Sequence, residues 1–240
     1  MHRVCGILSY VKFYYSHMQT AHVYLHHKIV ATPEDLTTAR MNESLYEFLL
    51  RGIPGNYGAV WRHDKGQMIK HAFLSLGHFM LVLGIFGRQA AMLSVIQGLL
   101  CSVMIETTNY IEHYGLLRKK DAQGIYEPVD IRHSWNAPQV VTNHMLFKLQ
   151  RHSDHHANAY KPYQILESLD DSPMLPHGYS ASIILAMIPP LWFKIGNPLA
   201  EAANRKQIVN DKVLDEIKAI SLSTLIPVFV TVTIATALMF

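Results

Sequence analysis

Two uncharged apolar runs, residues 71–87 and 89–105, constrain the fold more than any other feature of the chain. They are separated only by Arg88. A helix that crosses a bilayer needs about 20 mostly apolar residues, and with its flanks each run reaches that length. The segment therefore predicts a helical hairpin that turns near Gly87 and Arg88. The alternative is a buried hairpin inside a water-soluble helical bundle.

A third uncharged run covers residues 219–240, which is long enough to span a bilayer, and a kink at Pro227 is tolerable there. Residues 178–194 are also apolar, but Pro189 and Pro190 interrupt them. Because proline removes a helical hydrogen bond, this segment predicts a broken or interfacial helix.

The overall composition agrees with a membrane protein. Hydrophobic residues make up 50% of the chain and charged residues 16%, whereas soluble domains carry about 25% charged residues. The net charge of +3 is too small to indicate a nucleic-acid partner. The two cysteines, Cys5 and Cys101, are far apart and form no CxxC motif, which disfavours thiolate metal sites and a disulfide framework.

Two segments near the N-terminus have a helical pattern. Residues 4–27 contain no proline and a single glycine, so one continuous helix is expected. Residues 30–52 are polar with a helical ending, and Thr32 or Asp35 could cap that helix. The chain is expected to break where glycine and proline cluster, at Gly52, Pro54 and Gly55.

Two further segments lie downstream of the hairpin. Residues 118–138 are polar and rich in turn-forming residues, so a loop on the aqueous side is expected. Residues 139–157 predict another helix, which ends in a histidine-rich motif.

Histidine is unusually frequent, with 15 copies, and it clusters in three stretches: "AHVYLHHK" at 21–28, "NYIEHYGL" at 109–116 and "LQRHSDHH" at 149–156. Residues three or four apart share one face of a helix, so the first and last stretches each direct several imidazoles to one point. The seven histidines are His22, His26, His27, His113, His152, His155 and His156.

A metal centre is the natural interpretation of these clusters, since imidazole suits iron, copper, zinc and nickel. One zinc takes three or four protein ligands, so seven imidazoles favour two metal ions without selecting the metal. Asn109, Glu112 and Asp154 are candidate partners that would orient the rings. The histidines outside the clusters are expected to be structural: His17, His71, His78, His144 and His177.

These motifs closely resemble those of the integral-membrane alkane 1-monooxygenases, which share histidine boxes with the membrane fatty-acid desaturases and hydroxylases. The resemblance rests on "NYIEHYGLLR", "HSWN" and "LQRHSDHH", and it extends to "VATPEDLTTARMNESLYEF" and "IPPLWF". It covers about residues 3–200.

The resemblance implies a centre of two non-haem iron ions held by the seven histidines. It implies dioxygen activation and hydroxylation of the terminal methyl group of an alkane. Electrons would come from NADH through a reductase and a rubredoxin. It also adds His133, in the "HSWN" motif, to the residues expected to support the metal ligands.

The chain departs from the family pattern at three points. The family's first histidine box would lie upstream of residue 1, so a chain truncated at its N-terminus is expected. Ala21 stands where the family has glutamate, and Leu25 stands where it has glycine. The predicted organisation is an incomplete di-iron oxygenase domain at 1–200, a polar linker at 201–218 and a transmembrane helix at 219–240.

The predicted fold is an all-α integral-membrane bundle with the histidine-box helices at the cytosolic side. The membrane would be the inner or plasma membrane of a bacterium, or the endoplasmic reticulum membrane of a eukaryote. A basic surface could dock an acidic electron donor, although a cytoplasmic flank that follows the positive-inside rule explains it slightly better. Its residues are Arg118, Lys119, Lys120, Arg132 and Lys148.

Three alternatives stay open at this point. A related hydroxylase could act on aryl-methyl or fatty acyl substrates, although "NYIEHYG" argues against the fatty-acid enzymes. A truncated family member could be non-catalytic. A zinc-binding or transport protein would need a polar path through the bundle, and the sequence shows none.

Overall fold

The computed structural model describes residues 2–207, 209 and 211–239, and these residues form no strand. Two isolated bridges, Lys120 with Tyr126 and Asn136 with Met174, are the extended pairings described. The helices are α1 (His2–Lys12), α2 (His17–Thr20), a π-helical turn (Ala21–His26), α3 (His27–Ile29), α4 (Leu45–His63), α5 (Lys65–His113), α6 (Val140–Met145), α7 (His152–Ala157), a 3₁₀ turn (Tyr163–Ile165), α8 (Tyr179–Ala186), α9 (Pro189–Arg205) and α10 (Asp211–Met239).

The predicted hairpin is confirmed within α5. Gly87 has φ 81° and ψ 179°, a conformation that interrupts the helix. His78 Nε2 lies 3.3 Å from Ser94 Oγ, whereas 16 residues of straight helix would separate them by about 24 Å. The chain therefore folds back at Gly87, and the two apolar runs form antiparallel arms.

The two arms of α5 are both apolar and exposed, as is typical of a hairpin that faces lipid. The most apolar window of α5 has a mean hydropathy of 1.8, yet only 6% of it is buried. A core hairpin of a soluble bundle would be largely buried, so this exposure disfavours that alternative. The protein is accordingly a membrane protein.

The C-terminal helix α10 is the second helix long and apolar enough to cross a membrane, and it contains Pro227. The apolar segment upstream is broken as predicted: α8 ends at Ala186, and α9 begins with Pro189 at its first position. The polar segment 201–218 holds the end of α9 and the start of α10. The domain division made from the sequence stays a prediction.

The single helix predicted for residues 4–27 is wrong. Helix α1 ends at Lys12, and Tyr14 takes a left-handed φ of 55°. The Tyr14 hydroxyl lies 2.9 Å from Ser94 Oγ, so packing against the hairpin accompanies the turn. The helical course then resumes at His17 and passes through the π-helical turn.

The helical ending predicted for residues 30–52 is confirmed from Leu45 onward, but the predicted caps and the predicted break at 52–55 are wrong. Residues 30–44 form no helix; Asp35 accepts a turn hydrogen bond from the Thr37 N–H instead of capping a helix. Helix α4 begins at Leu45 and continues through Pro54. A Cβ atom at Gly55 would lie 3.0 Å from a Leu36 methyl carbon, so the glycine permits close packing there and does not end the helix.

The loop predicted at 118–138 is confirmed, but the helix predicted at 139–157 is divided. Helix α6 ends at Met145 and α7 starts at His152. Between them Phe147 and Lys148 have φ values of 50° and 59°. The Lys148 ammonium donates to the Gln164 carbonyl, a long-range contact that the local helical pattern does not contain.

The chain divides into two compact units. Unit 1 comprises Met1–Val30, Glu34–Thr37 and Tyr46–Asn109, and unit 2 comprises Ala31–Pro33, Thr38–Leu45 and Tyr110–Phe240. The core of unit 1 is built on Tyr15, Met18, Ala21 and Val60. The core of unit 2 includes Trp192, whose ring contacts those of Tyr110 and Tyr114.

Candidate metal centre

Three histidines of unit 2 meet through the same ring atom. His113 ends α5, and His152 and His156 lie one turn apart on α7. His152 Nε2 is 3.0 Å from His113 Nε2 and also 3.0 Å from His156 Nε2. All three residues are buried. We call these residues the histidine triad.

The geometry of the triad fits a metal ion better than a hydrogen-bond network. A contact between two Nε2 atoms needs one donor and one acceptor. His152 Nε2 faces two such atoms at once, and Glu112 Oε2 lies 3.4 Å from the same nitrogen. Neutral imidazole nitrogens that converge in this way are the donor set that iron and other first-row metals bind.

The position of α7 is fixed by polar contacts. The Ser153 N–H donates to Asn136 Oδ1 at 2.9 Å. Asp154 accepts hydrogen bonds from the Glu167 N–H, Lys161 and Asn158. Burial raises the pKa of Asp154, but these donors outweigh it and hold the pKa below its usual value. Asp154 thus anchors the loop after α7 and contacts no imidazole among the described residues.

His155 lies on the same short helix but is only half-buried. Its ring centroid is 5.6 Å from that of His152 and 5.4 Å from that of His156. The structure thus keeps all three histidines of the "HSDHH" motif close together.

Unit 1 holds its own histidine cluster, and a π-helical turn shapes it. In a π-helix the residues five apart are neighbours, unlike the four-residue spacing of an α-helix. His22 and His27 are five apart, and their Nε2 atoms are 3.0 Å from each other. The rings of His22 and His26, four apart, are centred 5.2 Å from each other. The π-turn therefore joins His22 to His27, a pairing that α-helical spacing does not predict.

Asp35 is a metal-site candidate that sequence reasoning missed. His26 Nδ1 lies 2.8 Å from Asp35 Oδ2, and both side chains are buried. A carboxylate on one ring nitrogen fixes the tautomer and directs the other nitrogen to a metal. The only signal in the sequence was an acidic residue nine positions downstream, which an N-cap explained equally well.

Two of the residues proposed to orient the rings have other partners. Asn109 donates to Glu106 Oε2 at 3.2 Å. His133 Nδ1 accepts the Asp130 N–H, and His133 Nε2 lies 3.3 Å from Glu127. Burial lowers the pKa of His133, although both carboxylates raise it. Neither residue contacts a predicted ligand among the described contacts.

Two of the histidines that were expected to be structural, His17 and His71, are buried in unit 1. His71 Nε2 lies 3.0 Å from Thr20 Oγ1. The His17 and Tyr57 rings are tilted by 30° to each other, with their centroids 3.7 Å apart. Burial, and then the neighbouring His71, lower the pKa of His17 to about 3. His17 is therefore neutral at physiological pH, which suits a structural role.

Comparison with known proteins gives one family match. The model of the fatty acid desaturase family matches residues 3–182. The chain is 39% identical over 202 residues to alkane 1-monooxygenase 1 of Pseudomonas aeruginosa, covering 78% of this chain and 53% of that protein. It is 39% identical over 203 residues to an alkane 1-monooxygenase of Acinetobacter baylyi, covering 78% of this chain and 50% of that protein.

A more distant relative acts on another substrate class. The hydroxylase component of the xylene/toluene monooxygenase of Pseudomonas putida is 25% identical over 189 residues, covering 73% of this chain and 50% of that protein. The chain spans about half the length of the curated relatives it matches.

Proposed function

Since the chain belongs to the fatty acid desaturase family, we propose that it is an alkane 1-monooxygenase that hydroxylates the terminal methyl group of alkanes to primary alcohols. The observation that carries the proposal is the convergence of three Nε2 atoms in the triad. The 39% identity to alkane 1-monooxygenases supports the substrate class.

The proposed ligands of two non-haem iron ions are the seven histidines of the sequence analysis. The triad and His155 belong to unit 2, and His22, His26 and His27 belong to unit 1. Bound iron would supply the activation of dioxygen and the transfer of one oxygen atom to the substrate. Metal binding requires deprotonated rings, so acid is expected to release the metal.

Side chains of this chain would exclude water, orient the metal ligands and position the substrate. Burial of the triad keeps bulk water from the reacting atoms. Asp35 holds one tautomer of His26. An alkane offers no polar handle, so apolar contacts must position it; we propose that residues 71–105 contribute these contacts. The proposed electron donor is a rubredoxin, which is reduced by NADH through a reductase.

The test is hydroxylation by the purified protein in detergent, with NADH, a reductase, a rubredoxin and dioxygen. A series of n-alkanes of increasing length serves as substrates, and gas chromatography detects the 1-alcohols. We expect alcohol from alkanes, and at least ~100-fold less from a His152→Ala variant. The matched control is His144→Ala, because His144 is an exposed histidine whose ring contacts its own helix.

The distant relative favours a second candidate, an aryl-methyl hydroxylase. A methylbenzene in the same assay separates the two functions. Faster turnover of the methylbenzene than of every alkane would favour the second candidate. Iron-loaded protein that oxidises neither substrate would contradict both and favour a non-catalytic family member.

A further inference from the structure

Helix α6 and the residues that follow it have an inverted distribution of polar and apolar side chains. Asn143 is buried, whereas four large apolar side chains of this segment are each between 69% and 72% exposed: Val140, Val141, Met145 and Phe147. A surface helix in water places its polar residues outward and its apolar residues inward. A contiguous exposed apolar surface of this kind marks contact with a partner or a membrane. We call these four side chains the apolar patch.

The polar side chains on the inner side of α6 are held by hydrogen bonds within the protein. The Asn143 amide donates to the Ala137 carbonyl at 2.8 Å. The Gln150 amide donates to Thr142 Oγ1 at 2.7 Å, and Gln150 Oε1 accepts the Tyr179 N–H at 2.8 Å. Because Tyr179 begins α8, these bonds tie α6 to the start of α8, which packs against α10. The apolar patch is therefore held facing outward.

The backbone after α6 also exposes Phe147. Phe147 and Lys148 have left-handed φ values of 50° and 59°, a conformation that costs free energy in residues other than glycine. The Lys148 ammonium donates to the Gln164 carbonyl at 2.6 Å. The Phe147 ring lies edge-on to the ring of Tyr163, with their centroids 5.8 Å apart. Tyr163 is exposed as well, so an amphipathic aromatic ring borders the apolar patch.

The chemistry of the segment favours lipid over a protein partner. Residues 138–149 contain one lysine and no arginine or acidic residue, so the patch offers no charge pattern that would select a charged protein. Tyrosine, with one apolar and one polar end, is typical of the membrane interface. The apolar patch belongs to unit 2, as does the candidate membrane-spanning helix α10. With six residues, α6 is about 9 Å long and too short to cross a bilayer.

We propose that α6 lies along the membrane surface and inserts the apolar patch between the lipid headgroups and the acyl chains. Helices that bind in this way are buried about 5–10 Å into that boundary. His152, the first residue of α7, follows Lys148 by four residues. The inserted patch therefore fixes the distance of α7 from the membrane surface. The proposal concerns lipid contact and does not depend on the metal or on the reaction.

The test is spin labelling of the full chain in nanodiscs of phosphatidylcholine and phosphatidylglycerol. Val141→Cys and Met145→Cys are each labelled in a background that carries Cys5→Ser and Cys101→Ser. Oxygen concentrates among the acyl chains and a nickel chelate stays in water, so the ratio of their collision rates with the label reports its depth. We expect this ratio to be at least ~3-fold higher at both positions than at Gln123→Cys, an exposed position of the polar loop.

A second measurement uses the wild-type chain, so that no substitution can disturb the fold. Chloramine-T, an oxidant dissolved in water, converts accessible methionine to its sulfoxide, and mass spectrometry locates the product. Met92, on an apolar arm of α5, is exposed in the structure and serves as the lipid-covered reference. We expect Met145 in the nanodisc, like Met92, to be oxidised at least ~10-fold more slowly than in a tryptic digest of the same protein.

The outcomes distinguish what covers the apolar patch. High oxygen ratios at Val141→Cys and Met145→Cys, with slow oxidation of Met145, would support insertion into lipid. Ratios equal to that of Gln123→Cys, with rapid oxidation of Met145, would overturn the proposal and leave the patch open to a protein partner. Low collision rates of both reagents at both positions would also overturn it, because they would show that a second copy of the chain covers the patch.

Discussion

Helix α5 carries two buried glutamates, Glu106 in unit 1 and Glu112 in unit 2, and their surroundings are opposite. Glu106 accepts from the Tyr15 hydroxyl at 2.5 Å and from Asn56 and Asn109, each at 3.2 Å. Glu112 instead faces His152 Nε2 at 3.4 Å through one oxygen, and its neighbouring hydroxyl donor is that of Tyr179. Both side chains are buried to the same degree, so burial alone does not distinguish them.

The comparison shows how a structural carboxylate differs from one at a metal site. Neutral donors satisfy the acceptor atoms of Glu106, so it stabilises the packing of α5 on the N-terminal segment. Glu112 lies beside His152, a member of the histidine triad.

The largest expected effect comes from His152→Ala. His152 contacts both other members of the triad and Glu112. Its loss should reduce hydroxylation at least ~100-fold, beyond the cost of losing a supporting residue. Product formation at saturating alkane measures the effect. Activity near the wild-type level in His152→Ala would contradict the assignment of unit 2 as a metal site.

Asp35→Asn tests the third type of carboxylate, which orients a ligand ring. Asparagine can still bond to His26, but it no longer fixes the tautomer. We expect the affinity for iron to fall about 10- to 100-fold. Chelator competition measures it, with Asp64→Asn as a control because Asp64 accepts from the backbone of Gln67. Unchanged affinity for iron in Asp35→Asn would show that Asp35 stabilises only the loop in which it lies.

Glu106→Gln tests the structural side of the comparison. The new amide NH₂ would face donors of Tyr15, Asn56 or Asn109, so hydrogen bonds are lost in a buried site. We expect the free energy of unfolding to fall by about 1–3 kcal/mol. An SDS titration of the purified protein measures this value. An increase in stability would contradict the structural role of Glu106.

His17 extends the comparison to a buried base. Its folded-state pKa is about 3, against 6.5 for an unperturbed histidine. Between these values the unfolded chain binds a proton that the folded chain does not. The contribution of His17 to the free energy of unfolding is therefore complete above pH 6.5. Below that pH it falls by about 1 kcal/mol per pH unit.

A His17→Gln variant should therefore lose less stability than the wild type between pH 6 and pH 4. The comparison uses the metal-free protein, so that metal release does not contribute. His144→Gln is the control, since His144 is exposed. Equal acid sensitivity of His17→Gln and the wild type would show that His17 becomes protonated in the folded state.

The sequence predicted the features that depend on composition and short spacing. The two uncharged runs on either side of Arg88 predicted the hairpin. With its flanks, each run is long enough to span a bilayer, and Gly87 permits a turn between them. The spacing in "HSDHH" predicted that His152 and His156 share a face, and they do. The polar loop and the break before Pro189 followed from the helix-breaking properties of their residues.

Features that depend on long-range contacts were not predictable from local pattern. The break at Tyr14 accompanies a contact with Ser94, 80 residues away. Asp35, the partner of His26, lies in a loop whose sequence indicated the start of a helix. The π-turn inserts an extra residue into one turn, so α-helical spacing could not predict the pairing of His22 with His27. The three donors to Glu106 come from three separate segments of the chain.

The most direct test of the account is the iron content per chain of the anaerobically reconstituted, detergent-purified protein, measured by mass spectrometry of the metal. We expect two iron ions per wild-type chain, and one or none in His152→Ala. No iron in the wild type, or two iron ions retained in His152→Ala, would contradict the claim that these histidines form a metal centre.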